Sequence, residues 1–181
     1  MIEINEDLKY IFTNINDWLK FAEAKCAALL ALNLAAIIGL LQAQSMFSDD
    51  VKDGQGILVV IFSVSSLIVL YSLIPKLNTL IQFYRTIPNL EMELKKRKDE
   101  NRPTLNCLYF GDIACLTEAM YSDLATGKPL TDHNSVNQLL IHQIVINAQI
   151  ALQKYRTFSL AIWITFLGYL FGIVLIFLHR F

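Results

Sequence analysis

Seven side chains carry the chemistry that this sequence offers: Glu23, Lys25, Lys154 and Arg156, together with Tyr109, Asp112 and Asn147. Cations and carboxylates of this kind suit the binding of a small anion, because Lys and Arg make charge-assisted hydrogen bonds to phosphate. Tyr109 and its neighbour Phe110 can stack on a base or serve as core aromatics. Asn147 belongs to the candidate binding set, and its plainer role is a hydrogen bond between helices. Lys25, Lys154 and Arg156 also have a plain reading as side chains that snorkel to lipid headgroups. No nucleophile motif, phosphate-cradling glycine loop or metal signature accompanies them, so neither a catalytic nor a metal site is expected. His133, His142 and His179 share no ligand spacing with Cys26, Cys107 and Cys115, and an odd number of cysteines argues against a disulfide framework.

The elements that position these residues follow from hydropathy. The 181 residues are 55% hydrophobic, and a mean hydropathy of +0.45 points to a small integral membrane protein. The polar, acidic start MIEINEDLKY lacks a basic n-region and a cleavage motif, so the first span is expected to stay in the mature chain. Residues 4–25 read as an amphipathic helix with Leu8, Ile11, Phe12, Ile15, Trp18, Leu19 and Ala22 on one stripe. With no Gly or Pro between, this helix runs into a first span at 26–47, whose carboxamide residues are Asn33, Gln42 and Gln44. A short loop at 48–55, with Asp53-Gly54 as its turn signal, leads to a second span at 56–75. A third span covers 158–178, where Gly168 and Gly172 form a small-xxx-small pair, and 179–181 end the chain.

Charge sets the expected orientation. Every Lys and Arg except Lys52 and Arg180 precedes the first span or lies between the second and third, so both regions are expected in the cytoplasm. The 76–157 insert then holds a cytoplasmic helical bundle. Leu77, Leu80, Ile81 and Tyr84 extend the second span as helix until Pro88. The run Lys95, Lys96, Arg97 and Lys98 reads as a solvated face that Arg102-Pro103 ends. Gly111 turns the chain and Asp112 caps a helix with Ile113, Leu116, Met120, Tyr121 and Leu124 as its buried stripe. Gly127 and Pro129 close that helix. From Asp132 a second long helix runs unbroken into the third span, bringing Lys154, Tyr155 and Arg156 to the membrane boundary. Glu23 and Lys25 lie at the matching boundary of the first helix, about 200° apart around it, so they cannot play the same part toward one ligand. Asn33, inside a span, calls for a partner on another helix.

Three segments, AEAKCAALLALN, NCLYFGDIACLTEAMY and QKYRTFSLAIWITFLG, together resemble the Pycsar transmembrane effectors, prokaryotic antiphage proteins. The resemblance covers nearly the whole chain in order and spacing. It implies an all-α integral membrane protein with three transmembrane helices and a cytoplasmic helical sensor. It further implies a ligand, a cyclic pyrimidine mononucleotide (cyclic UMP or cyclic CMP) made by a partner cyclase, with no other cofactor. Binding would lead to loss of inner-membrane integrity and abortive infection. Lys25, the Tyr109-Phe110-Gly111-Asp112 run and Lys154-Tyr155-Arg156 match the family's motifs, and Glu23 stands where the family usually has Asp. The partners implied are the lipid bilayer, the nucleotide and further copies of the chain, with no nucleic acid. Two alternatives stay open: a membrane-anchored scaffold with a protein partner, and an effector gated by a cyclic oligonucleotide.

Overall fold

The computed structural model describes residues 4–43, 49–74 and 105–180. These are helical, with no strand among them: α1 (Glu6–Gln42), α2 (Asp49–Leu73), the single turn α3 (Phe110–Ile113), α4 (Glu118–Thr126) and α5 (Ser135–Arg180), with a 3-10 turn at Leu130–Asp132. The stretch after Pro75, including the Lys95 to Lys98 run and Arg102-Pro103, lies outside the described residues. Segments Glu6–Gln42, Asp53–Leu73 and Ser135–Phe177 are long and apolar enough to cross a membrane. The chain is therefore an all-α, multi-pass membrane protein.

Helices α1 and α5, at 37 and 46 residues, each join a polar stretch to a span without a break, as the lack of breakers in both sequences requires. Both start on an asparagine cap. Asn5 accepts from the Asp7 and Leu8 N–H groups at 2.9 and 3.2 Å, and Asn134 accepts from the Asn137 N–H at 2.8 Å. The chain divides into two units: residues 1–21 with 76–153, and residues 22–75 with 154–181.

The second unit contains the apolar parts of α1, α2 and α5. Cys26, Leu29, Val69 and Ala161 form its buried cluster, with Leu30, Ile68, Leu73 and Phe158 packed against it. Ile38, Leu41, Val60, Leu67, Trp163 and Phe177 point outward, as side chains solvated by lipid tails do. The glycine pair holds α5 against α2 within this chain. A Cβ on Gly168 would fall 2.9 Å from Ile61 Cγ2, and one on Gly172 would meet Leu58 at 3.4 Å. Replacing Gly168 by Val is thus expected to push α5 off α2. The check is a melting curve in detergent, with a loss of about 1–3 kcal/mol from overpacking.

Gly54 is also a packing glycine, which corrects its reading as a turn. Helix α2 begins at Asp49 and runs through Asp53-Gly54, where a Cβ on Gly54 would lie 2.7 Å from Leu175 Cδ1. The missing side chain admits a neighbouring helix and does not bend the backbone.

In the first unit, Leu8, Ile11 and Ile15 of α1 are buried, as are Ile141, Ile144, Val145, Ala148 and Ala151 of α5. Two side-chain contacts tie these helices: Asn137 Oδ1 accepts from the Asn5 N–H at 3.1 Å, and Asn147 Nδ2 donates to Asn16 Oδ1 at 2.9 Å. The partners differ by 132 and 131 positions, so the helices run parallel here. Between them in sequence, the helix expected after Gly111 is two pieces. Thr117 takes over as cap of α4, accepting from the Met120 N–H at 3.3 Å, and Met120 and Leu124 are exposed instead of buried. Tyr121 is fully buried, and that burial, with a smaller influence of Cys107, pushes its phenol well above the usual range. Gly127 ends α4 at φ 66°, a left-handed conformation that costs other residues about 1 kcal/mol or more.

Candidate functional site

Within the second unit, the two helix boundaries meet. Lys154 Nζ lies 3.1 Å from Glu23 Oε1 and donates to the Ser72 carbonyl at 3.1 Å, so α5 is tied to both α1 and α2. The Lys154 side chain is only 12% exposed, against 50% for Glu23, so an ammonium with little access to water depends on these oxygens. The Lys25 amino group sits 5.4 Å from the centroid of the Tyr155 ring and 5.8 Å from that of Phe158, a cation held against aromatic faces. Arg156 is exposed. Among the described residues, Lys25, Lys154 and Arg156 bring three cations to this boundary beside the Glu23 carboxylate. Such a surface can attract and hold a phosphate.

The remaining candidates, Tyr109, Asp112 and Asn147, belong to the first unit. Asp112 is 3% exposed, and its Oδ2 accepts from the Asn106 N–H at 2.8 Å. It fastens the loop before α3; the helix it was expected to cap has Thr117 in that role. The Tyr109 and Phe110 rings lie 4.8 Å apart, and Phe110 continues to Trp18 of α1 at 5.4 Å. Asn14 Nδ2 also donates to the Leu108 carbonyl at 3.2 Å, so α1 carries the whole aromatic loop. Gly111 fits under Tyr109, where a Cβ would come 2.6 Å from the ring. Tyr109 stays 43% exposed, whereas Phe110 is buried. Asn147 makes the interhelical bond to Asn16 described above.

The first unit also holds a polar cavity of about 640 Å³, which the sequence reading did not find. Asn5, Glu6, Thr126, Lys128, Asp132, His133, Asn134 and Asn137 line it with Ile4. His133 Nε2 is 3.0 Å from Thr126 Oγ1. These residues come from the starts of α1 and α5 and the turn after α4, so their meeting depends on tertiary structure and has no local spacing signal. Glu6 and Asp132 offset Lys128 in that lining. Among the described residues, no group of three or more His, Cys, Asp or Glu side chains is placed to hold a metal ion.

Residues 7–179 match the Pycsar effector protein domain. The chain belongs to the Pycsar effector family. That membership covers both units and all three spans, and it makes the protein an antiphage defence effector associated with the lipid bilayer. No curated protein and no solved structure matches the chain. A Pycsar effector domain is an effector module.

Proposed function

We propose that this Pycsar effector binds a cyclic pyrimidine mononucleotide, cyclic UMP or cyclic CMP, on the cytoplasmic side of the inner membrane and then impairs that membrane. The single observation behind this reading is the family match over 7–179 in a chain with three spans. The positive-inside distribution of Lys and Arg supports a cytoplasmic N-terminus. The cations Lys25 and Arg156 support an anionic ligand at the helix boundary of the second unit, where Glu23 and Lys154 hold the helices together. The protein acts without catalysis: a partner cyclase makes the nucleotide and this chain responds to it. The active form is a homo-oligomer or a rearranged bundle.

Ligand can shift the protein toward its active form only if it prefers that form. Helices α1 and α5, unbroken from polar stretch to span, supply the mechanical link.

Calorimetry with cyclic UMP and cyclic CMP on the detergent-solubilised chain tests the site. Lys25→Ala and Arg156→Ala are each expected to weaken binding by about tenfold or more, the effect of losing a charge-assisted bond to phosphate. Lys128→Ala, in the polar cavity, is expected to bind like the native chain. Equal affinity in all variants would remove the nucleotide from the boundary, and a loss confined to Lys128→Ala would move it to the cavity.

A further inference from the structure

Three buried polar side chains, one from each span, meet in the second unit: Asn33 on α1, Ser65 on α2 and Thr165 on α5. Asn33 Nδ2 donates to Ser65 Oγ at 3.0 Å, Ser65 and Thr165 hydroxyls lie 2.8 Å apart, and Thr165 Oγ1 donates to Asn33 Oδ1 at 3.0 Å. With the Ser65 hydroxyl donating to Thr165, the hydrogen bonds close into a ring in which each member donates to the next. The Ser65 hydroxyl also donates toward the Ala161 carbonyl at 3.0 Å, so its one proton is shared between that carbonyl and Thr165 Oγ1. From Cys26, Leu73 and Phe158, the positions where the spans leave the cytoplasmic boundary, a rise of 1.5 Å per residue puts all three residues about 10–12 Å into the apolar layer. They therefore share one depth.

A ring of this kind is satisfied at one mutual rotation of the three helices. Any displacement leaves hydroxyl and amide groups in hydrocarbon, where an unmet polar group is costly. The displaced arrangement becomes stable only if water replaces the lost partners. We infer that the Asn33–Ser65–Thr165 ring is the gate of this effector. Its side chains satisfy one another while the membrane is tight, and water and small ions take over these same groups when it leaks. Polar residues within a span are also where pathways for ions and water are usually found. The inference rests on the membrane-impairing activity proposed above and assigns that activity to a position in the spans.

The test uses the full chain in liposomes loaded with a self-quenching dye and a potassium gradient, with cyclic UMP or cyclic CMP added. Ser65→Ala breaks the ring but leaves Asn33 and Thr165 in place to be hydrated, so leakage without nucleotide is expected to rise by about threefold or more, as for a lost interhelical bond. The triple variant Asn33→Leu/Ser65→Ala/Thr165→Val leaves no polar group to hydrate. It is expected to stay helical and monodisperse, bind nucleotide like the native chain, and lose at least about nine-tenths of the nucleotide-triggered leak. A triple variant that leaks like the native chain, or a Ser65→Ala variant with native resting leak, would overturn the gate. If the native chain never leaks, the proposed activity itself fails, and a resting leak from Ser65→Ala that equals the native one then rejects the gate as well.

Discussion

Replacing Glu23 by Ala is expected to destabilise the protein by about 1–3 kcal/mol, while replacing Lys154 by Met changes its stability by less than about 1 kcal/mol. The asymmetry comes from which partner water can reach. The Lys154 side chain is 12% exposed, and without Glu23 its ammonium keeps, among the described residues, the Ser72 carbonyl alone. Glu23 is half exposed, so after Lys154→Met its carboxylate returns to water, and the thioether fills the space among the helices. The same half-exposure keeps the Glu23 effect below the 3–5 kcal/mol of a fully buried broken pair. Thermal melting in detergent is the measurement, with a shift of about 2–4 °C per kcal/mol at this size. The double variant should melt close to Lys154→Met alone. Glu23→Ala melting within a degree of native would show that the pair does not hold the two boundaries together.

A larger loss is expected at Ile15, fully buried on α1 in the first unit. Ile15→Ala removes three carbons from a position with no access to solvent, and a cavity that cannot collapse costs about 2–5 kcal/mol. Ile38, on the same helix but 55% exposed, gives the contrast: Ile38→Ala faces lipid and should change melting by less than about 1 kcal/mol. Limited proteolysis separates the two effects further, since Ile15→Ala should accelerate cleavage within the soluble stretch. Equal melting of both variants would mean that the α1 stripe is not a core.

The long helices were legible because breakers are absent where they would have to lie. The stripe through Leu8, Ile11 and Ile15 was legible for the same reason, since periodicity reports which side of a helix is covered. Asn33 was legible as a residue in need of a partner, but not which partner, because Ser65 and Thr165 stand 32 and 132 positions away. Gly54 misled because a glycine that admits a neighbouring helix has the same letter as one that turns the chain. Asp112 misled differently: its carboxylate serves the Asn106 N–H six residues back, and Thr117 caps the helix that follows.

Of the candidate site, Glu23 and Lys154 were expected at matching boundaries of two helices, and the structure joins them in an ion pair, which neither sequence segment shows alone. Their partners differ by 131 positions, and Asn33 and Thr165 by 132, so α1 and α5 run parallel in the second unit as they do in the first. A constant offset between distant segments cannot be read from either segment alone. The cavity lined by Lys128 and His133 was invisible for the same reason.

The central claim is that a cyclic pyrimidine nucleotide controls the membrane. Membrane potential measured with a voltage-sensitive dye, in cells producing this chain with its cyclase, tests that most directly. Depolarisation is expected when the cyclase is active and none when the cyclase carries an inactivating substitution. Depolarisation of equal size in both, or in neither, would contradict it.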